Sequence, residues 1–230
     1  MADTKNHIDT YGQSGLYNLL DRTRRANNNP HNHNGQMLSD QSIDTRRYPD
    51  TSSMQDSDNV WNSSSQSSGV DAHVYGALTY DYLLTQFGRN SFDNTGSAML
   101  SVVDRNDRND NAYWNGKEVT YTTVTRGHRS MAGAIDIVAH EWGHAVTYYE
   151  SNLIYEKEPG ALNESFSDMV GIAVGFGTGI DPDWQQGENF NTDGTAIRDL
   201  SNPHLHNQPD TYINDTYWVD VTNCTPITGK

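Results

Sequence analysis

The stretch from Asp136 to Asp168 limits the fold more than any other part of the chain. It reads DIVAHEWGHAVTYYESNLIYEKEPGALNESFSD, with His140-Glu141-Trp142-Gly143-His144 as an H-E-x-x-H pattern near its start. On a helix, residues four apart lie one turn above each other, so His140 and His144 face one way and can reach one metal ion. The helix has support of its own, because Ile135, Val138, Trp142, Ala145, Val146 and Tyr149 recur at spacings of three and four. Glu141 cannot share the direction of the two imidazoles without crowding them. It is better placed to hold a water beside the metal than to ligate it.

A catalytic zinc takes three protein ligands plus water, so two histidines leave the set short. The third is expected from a second helix packed on the first. Downstream, Leu162, Phe166, Met169, Val170 and Ala173 repeat at helical spacing, and Pro159 suits the first turn of such a helix. Glu164 and Asp168 stand four apart on one face of it. Glu164 as third zinc ligand, with Asp168 accepting from a ligand imidazole and orienting it, completes the arrangement. The competing reading is a chance HEWGH pentapeptide on a core helix, and NESFSD behind it argues against chance.

At 230 residues the length suits one large or two small domains, with ample core. Thirty acidic against fifteen basic residues give a formal charge of −15, which excludes nucleic acid as a partner, since phosphate contacts need clustered Lys and Arg. No run of eighteen apolar residues occurs, so no membrane span is expected. Met1-Ala2-Asp3 opens without an apolar signal-peptide core, so a secreted protein of this sequence would be a mature or trimmed form. Cys224, the single cysteine, excludes an internal disulfide framework. It is either an unpaired thiol or half of a bridge whose partner lies elsewhere.

Residues 1–69 are rich in Asn, Ser, Asp and Thr, and segments such as RRANNNPHNHNGQ carry no helical period. Gly15 to Leu20 offers short strands. His31 and His33 form an H-x-H pair that, without further ligands nearby, reads as solvated loop. Val74, Leu78, Leu84 and Phe87 support an amphipathic helix over about 70–88, closed by Gly88. Ala98 to Asp104 reads as a short strand, and the DRNDRND run as a solvated loop. Asn111 to Tyr121 is a hairpin with Asn115-Gly116 as a type I′ turn. A strand edge beside a zinc cleft can bind a peptide through backbone groups. Further on, Asp181, Asp183 and Glu188 supply hard oxygens of the kind calcium takes; the alternative is an acidic surface loop.

HEWGH, then GALNESFSD with twenty positions from His144 to Glu164, resembles the thermolysin-like neutral metallopeptidases. The two-His, one-Glu zinc site is a standard attribute of thermolysin, so that ligand set also comes with the resemblance. KNHIDTYGQSGLYNLLDRTR, VDAHVYGALTYDYLLTQFGRNSFDN, NAYWNG and AIRDLSNP match the family in order and spacing, carrying the likeness from Lys5 to about Tyr217. It implies an α+β fold of the gluzincin type. A β-rich amino-terminal lobe would cover 1–133, zinc-binding helices and a calcium loop 134–202, and an irregular segment 203–230.

The resemblance further implies a secreted zinc endopeptidase acting on peptide or protein substrates, preferring a hydrophobic residue after the scissile bond. It places Asn111 and the Ala112 backbone on the substrate's main chain, Tyr155 at the oxyanion and Arg198 on the substrate carbonyl. Met131, Ile137 and Ile197 would line the apolar pocket. Asp136 joins Asp181, Asp183 and Glu188 as a calcium ligand. Where double-calcium members carry two further glutamates this chain has Gly175 and Gln185, so one calcium is expected. The family's G-G-V-H-x-N-S-G-type segment, which carries an active-site histidine, does not follow, and His204 and His206 are not in that motif. The C-terminal helical domain is therefore expected to be absent. Its loss would bare apolar surface between Leu162 and Phe176, open to self-association or to the missing domain. The chain would then be a weak peptidase or a zinc- and calcium-binding fragment without activity. A metal-independent module with a coincidental motif is the third reading, disfavoured by the paired zinc helices.

Overall fold

The computed structural model describes residues 11–13, 16–21, 43–125, 127–212 and 215–219; His31, His33 and Cys224 lie outside the described residues. Among the described residues the strands are β1 Tyr11–Gln13, β2 Leu16–Asn18, β3 Leu20–Asp21, β4 Ile43–Arg47, β5 Gln55–Asp56, β6 Met99–Asn109, β7 Ala112–Trp114, β8 Val119–Thr123, β9 Gln185–Gln186 and β10 Arg198–Asp199. The helices are α1 Ser67–Phe87, α2 Ile135–Glu150 and α3 Lys157–Thr178. This is the α+β arrangement expected, with most strands preceding the helices α2 and α3 that carry the H-E-x-x-H pattern and Glu164. Five strands form one sheet in the order β3-β4-β6-β8-β7. β4, β6 and β8 run parallel, and β7 closes the edge antiparallel to β8.

The core lies between this sheet and the helices. Val74, Ala77 and Tyr80 of α1 pack with Ile43, Met99 and Val103 of the sheet, and the same cluster takes in Ile135, Val138 and Trp142 of α2. Trp142 is fully buried and stacks on Phe92 at 5.4 Å between ring centres. Gly88 ends α1 in the left-handed region at φ 64°, its N–H returning to Leu84 O at 2.9 Å, which is the glycine cap read from the sequence.

Two local readings are corrected. The DRNDRND run is largely strand: β6 continues to Asn109, with register shifts against β8 that let charged residues leave the ladder without ending it. The hairpin turn spans residues 115–118 and is not a two-residue type I′ turn. Asn115 Oδ1 accepts from Lys117 N and Glu118 N at 3.0 Å each, and Gly116 alone of the pair has positive φ. On α3, Leu162, Phe166 and Met169 of the apolar stripe are between 46% and 49% exposed, on the stretch between Leu162 and Phe176 where bare apolar surface is expected, while Val170 packs against the core.

The inward face of α3 carries Gly160, Asn163, Ser167, Asp168 and Gly171, joined by Ile172, Val174 and Gly175 toward its C-terminal end. A Cβ at Gly143 of α2 would lie 2.9 Å from Ser167 Cα, and one at Gly171 would lie 2.5 Å from Asp136 O. At these two points the helices meet nearly backbone to backbone, which leaves no room for a larger side chain at either glycine.

Candidate metal centre

Across that seam the H-E-x-x-H histidines face Glu164. His140 Nε2 is 3.3 Å from Glu164 Oε2 and His144 Nε2 is 3.6 Å from Oε1. One donor atom from each of the three residues lies within 4.8 Å of the others. The far side of each ring is engaged as well. His140 Nδ1 is 2.6 Å from Asp168 Oδ1, close but off the line of a well-formed hydrogen bond. His144 Nδ1 is 2.7 Å from Asn163 Oδ1 and 3.0 Å from Ser167 Oγ. With Nδ1–H donating backwards, each Nε2 presents its lone pair to the shared space. Nothing in the sequence pattern singles out Asn163 and Ser167. Their only sign is that a polar residue immediately precedes each of Glu164 and Asp168, where a packed helix would normally turn apolar groups inward.

Burial lowers the proton affinity of His140, but its contacts with Asp168 and Glu164 outweigh that and raise its pKa to about 9. His144 is shifted down, first by burial and then by the charge of His140. Glu164 and Asp168 would be raised by burial, yet both end below the usual carboxylate range because His140 bonds to each. Without metal, the centre therefore keeps a proton where a cation would sit. Two imidazole nitrogens and a carboxylate, braced from behind, are the donor set and support that zinc takes.

Glu141 is buried, and its Oε2 accepts the Trp114 N–H at 3.1 Å, hooking the end of β7 to the metal helix. Burial pushes its carboxyl up to about 7, with the charge of His140 pulling the other way. Ala112 lies on the β7 edge strand directly after Asn111. The Tyr155 ring stands 6.0 Å from that of His144, edge on, and is 44% exposed. Arg198 does not point into open space. Its Nε and Nη2 each donate to Asp168 at 2.7 Å, in a two-bonded fork. Ile137 is buried on α2, Ile197 is partly buried beside Arg198, and Met131 opens a short 3-10 turn before α2.

A second group gathers Asp136, Asp181 and Glu188, again within 4.8 Å. Asp136 is 1% exposed; its Oδ2 accepts from Gly187 N, while among the described residues its Oδ1 has no hydrogen-bond partner, nor has the buried Glu188 Oε2. Burial first, and then neighbouring negative charge, pushes Asp136 up to about 6. Burial and a bond to Asp181 push Glu188 up to about 8. Buried acidic oxygens left without donors fit a hard cation such as calcium. Asp183 stays out of this group; it is exposed and its Oδ1 accepts from Gln185 N at 2.7 Å. At Gly175 a Cβ would lie 2.4 Å from Asp181 O, so a glutamate there would have to displace the group. A third cluster, His204, Asp210 and Asp215, lies nearer the surface, where His204 Nε2 is already bonded to Asp215 Oδ2 at 2.8 Å.

The family model described as the thermolysin metallopeptidase catalytic domain matches residues 1–148, and that for the thermolysin metallopeptidase alpha-helical domain matches residues 151–224. The chain belongs to the thermolysin metallopeptidase family. Bacillolysin of Bacillus cereus is 42% identical over 165 residues, covering 68% of this chain and 28% of the relative. Bacillolysin of Brevibacillus brevis is 36% identical over 220 residues, or 92% of this chain and 37% of the relative. Among solved structures, the precursor of protealysin, a metalloproteinase from Serratia proteamaculans, aligns with a TM-score of 0.60 at 29% identity, over 69% of this chain and 53% of that one. The chain thus spans about a third of the length of the two bacillolysins.

The second family match overturns the expectation that the helical domain is absent. A missing downstream histidine motif stood in for the whole domain, whose opening helix, α3, was already in the chain. The match starts in the loop carrying Tyr155 and takes in Glu164 and the acidic loop. His140, Glu141 and His144 come from one family segment and Glu164 from the other, so this group of side chains is assembled across their junction.

Proposed function

We propose that this chain carries the metal centre of a zinc endopeptidase, with zinc on His140, His144 and Glu164. The observation behind the proposal is the convergence of two Nε2 atoms and a carboxylate within 4.8 Å, with Glu141 buried alongside. Zinc, when bound, supplies a Lewis acid that polarises a carbonyl oxygen and makes water acidic near neutral pH. Glu141 accepts the proton of the attacking water and passes it to the leaving amine. Trp114 N–H holds the carboxylate in place for both transfers. Tyr155 donates to the developing oxyanion, and Asn111 with the Ala112 backbone holds the substrate's main chain along the β7 edge. Arg198 braces Asp168, and through it His140, while meeting the substrate carbonyl. Met131, Ile137 and Ile197 receive a hydrophobic side chain after the scissile bond.

Calcium is proposed on Asp136, Asp181 and Glu188, with Asp183 outside the first set of ligands. A bacterial neutral protease of this kind would work outside the cell; among the described residues no helix is long and apolar enough to cross a membrane. A second reading is favoured by the outward Leu162, Phe166 and Met169: the chain alone self-associates through this face and binds both metals while cleaving weakly. Hydrolysis of a peptide with Leu or Phe after the scissile bond is the test, run beside metal analysis and sedimentation. Zinc at one equivalent with turnover lost in Glu141→Ala is the expected result. Turnover that survives Glu141→Ala, or a chain that takes up no zinc, would sink the proposal.

A further inference from the structure

Asp136 and His140 stand one turn apart on α2, and a second route joins them outside the helix. Asp136 Oδ2 accepts the Gly187 N–H. The backbone at Gly187 presses on Ile197; a Cβ there would lie 2.5 Å from Ile197 Cδ1. Ile197 N donates to Gln186 O at 2.7 Å, and in the adjoining rung Gln186 pairs with Arg198. Directly opposed residues of an antiparallel pair point to the same face, so Gln186 stands beside the arginine. Gln186 is 1% exposed, and its Oε1 has no hydrogen-bond partner among the described residues. Arg198 then grips Asp168 through two 2.7 Å bonds, and Asp168 Oδ1 lies 2.6 Å from His140 Nδ1. The circuit runs Asp136, Gly187, Gln186, Arg198, Asp168, His140 and closes on the helix where it began.

We propose that Gln186 and Arg198 are positioning residues that couple the two metal groups, so that a divalent cation on Asp136, Asp181 and Glu188 tightens zinc on His140, His144 and Glu164. This rests on the zinc and calcium reading given above. A cation drawing Glu188 onto Asp136 pulls the backbone at 187 toward the head of α2. That seats β9 against β10, and β10 carries the guanidinium fork that holds Asp168 on the zinc-side imidazole. Groups that orient a ligand from behind alter metal affinity about 10–100-fold, so a modest change in their seating is measurable. Direct charge has the opposite sign: two dications in one small structure repel, and each would weaken the other. The sign of the coupling therefore separates the ladder from the field.

The test uses the full chain stripped of metal. Zinc Kd is read by competition with a zinc-selective chromophoric chelator, without calcium and at saturating calcium, and calcium Kd is read with and without zinc. Zinc is expected to bind about 5–20-fold tighter in calcium, and calcium to tighten by the same factor, because linkage is reciprocal. Arg198→Lys keeps the charge but loses the fork, and should bring the factor to about 1 with both metals still bound. Ile197→Pro removes the rung to Gln186 and should do the same by another route. Melting temperature is followed in parallel, since a merely structural role would lower it and leave the factor untouched. A factor of one or less in the native chain, or one that survives Arg198→Lys, overturns the coupling alone. Failure to bind zinc, or calcium, in the separate titrations overturns the underlying reading, and this inference with it.

Discussion

At the His140, His144 and Glu164 group each imidazole is braced from behind, by Asp168 or by Asn163 and Ser167. At the Asp136, Asp181 and Glu188 group, two buried carboxylate oxygens have no donor among the described residues. The first group is arranged by hydrogen bonds behind His144 and by the Asp168 carboxylate close behind His140. The second is three acids held together against their charge, balanced only by protons or by a cation. Metal removal should therefore act differently at the two. Loss of zinc should abolish chemistry with modest effect on the fold, and loss of the second cation should loosen the fold first.

The largest effect expected from this contrast is at Glu141. Glu141→Ala should keep zinc and lower turnover by about 10²–10⁴-fold, the usual worth of a general base. His140→Ala or Glu164→Ala should lose the metal itself, and metal analysis of the three variants separates the roles. Next comes the cation. Binding only the folded form, calcium should stabilise by about 2.7 kcal/mol at a hundredfold excess over Kd. The pH dependence follows from Asp136 and Glu188, whose values rise from 3.8 to about 6 and from 4.5 to about 8 on folding. Groups raised in the folded state contribute stability below their unfolded values and lose it as pH climbs through the folded ones. The cation-free chain should accordingly melt at lower temperature at pH 8 than at pH 5, and the calcium gain should grow over the same interval. His140, raised from 6.5 to about 9, pushes metal-free stability in the same direction. Adding zinc and calcium separately at pH 8 assigns the two contributions, and a calcium gain that shrinks with pH would contradict the account.

Smaller again, Asn163→Ala and Ser167→Ala should each weaken zinc by about 10–100-fold while leaving the calcium gain unchanged, as read by chelator competition. Smallest of all, Asp183→Ala should shift stability within about 0.5 kcal/mol and leave calcium affinity as it was, since that carboxylate lies outside the group. A large loss of calcium affinity there would redraw the group.

What could be read from the sequence follows the range of the interactions. The H-E-x-x-H helix, the Gly88 cap and the pairing of Glu164 with Asp168 are set by residues within a turn or two of one another, and periodicity reports them. The inward face of α3 was not legible, because apolar spacing marks a helix without saying which side meets a backbone. Leu162 and Phe166 face away, as the expected bare surface between Leu162 and Phe176 has it, while Asn163 and Ser167 are buried between them and α2. The grip of Arg198 on Asp168 spans thirty residues and depends on β9 and β10, two strands of two residues each that carry no pattern. The extension of β6 was hidden by its charges, since its register shifts let polar residues occupy a strand. Asp183 shares the acidic loop with Asp181 and Glu188 but stands apart from their group, because its Oδ1 caps its own turn.

Gly143 gives the metal centre a gauge. The spacing between α2 and α3 is set at this point by an absence of atoms, since the next solid object above residue 143 is Ser167 Cα, 2.9 Å from where a Cβ would stand. Every atom added there acts as a wedge driven between the helix that carries the imidazoles and the one that carries the carboxylate. A graded series of side chains at 143 would widen the donor triangle in steps without altering any donor. The metal chosen by the centre would then be a readout of helix separation: small ions first, larger and less demanding ones as the gap opens.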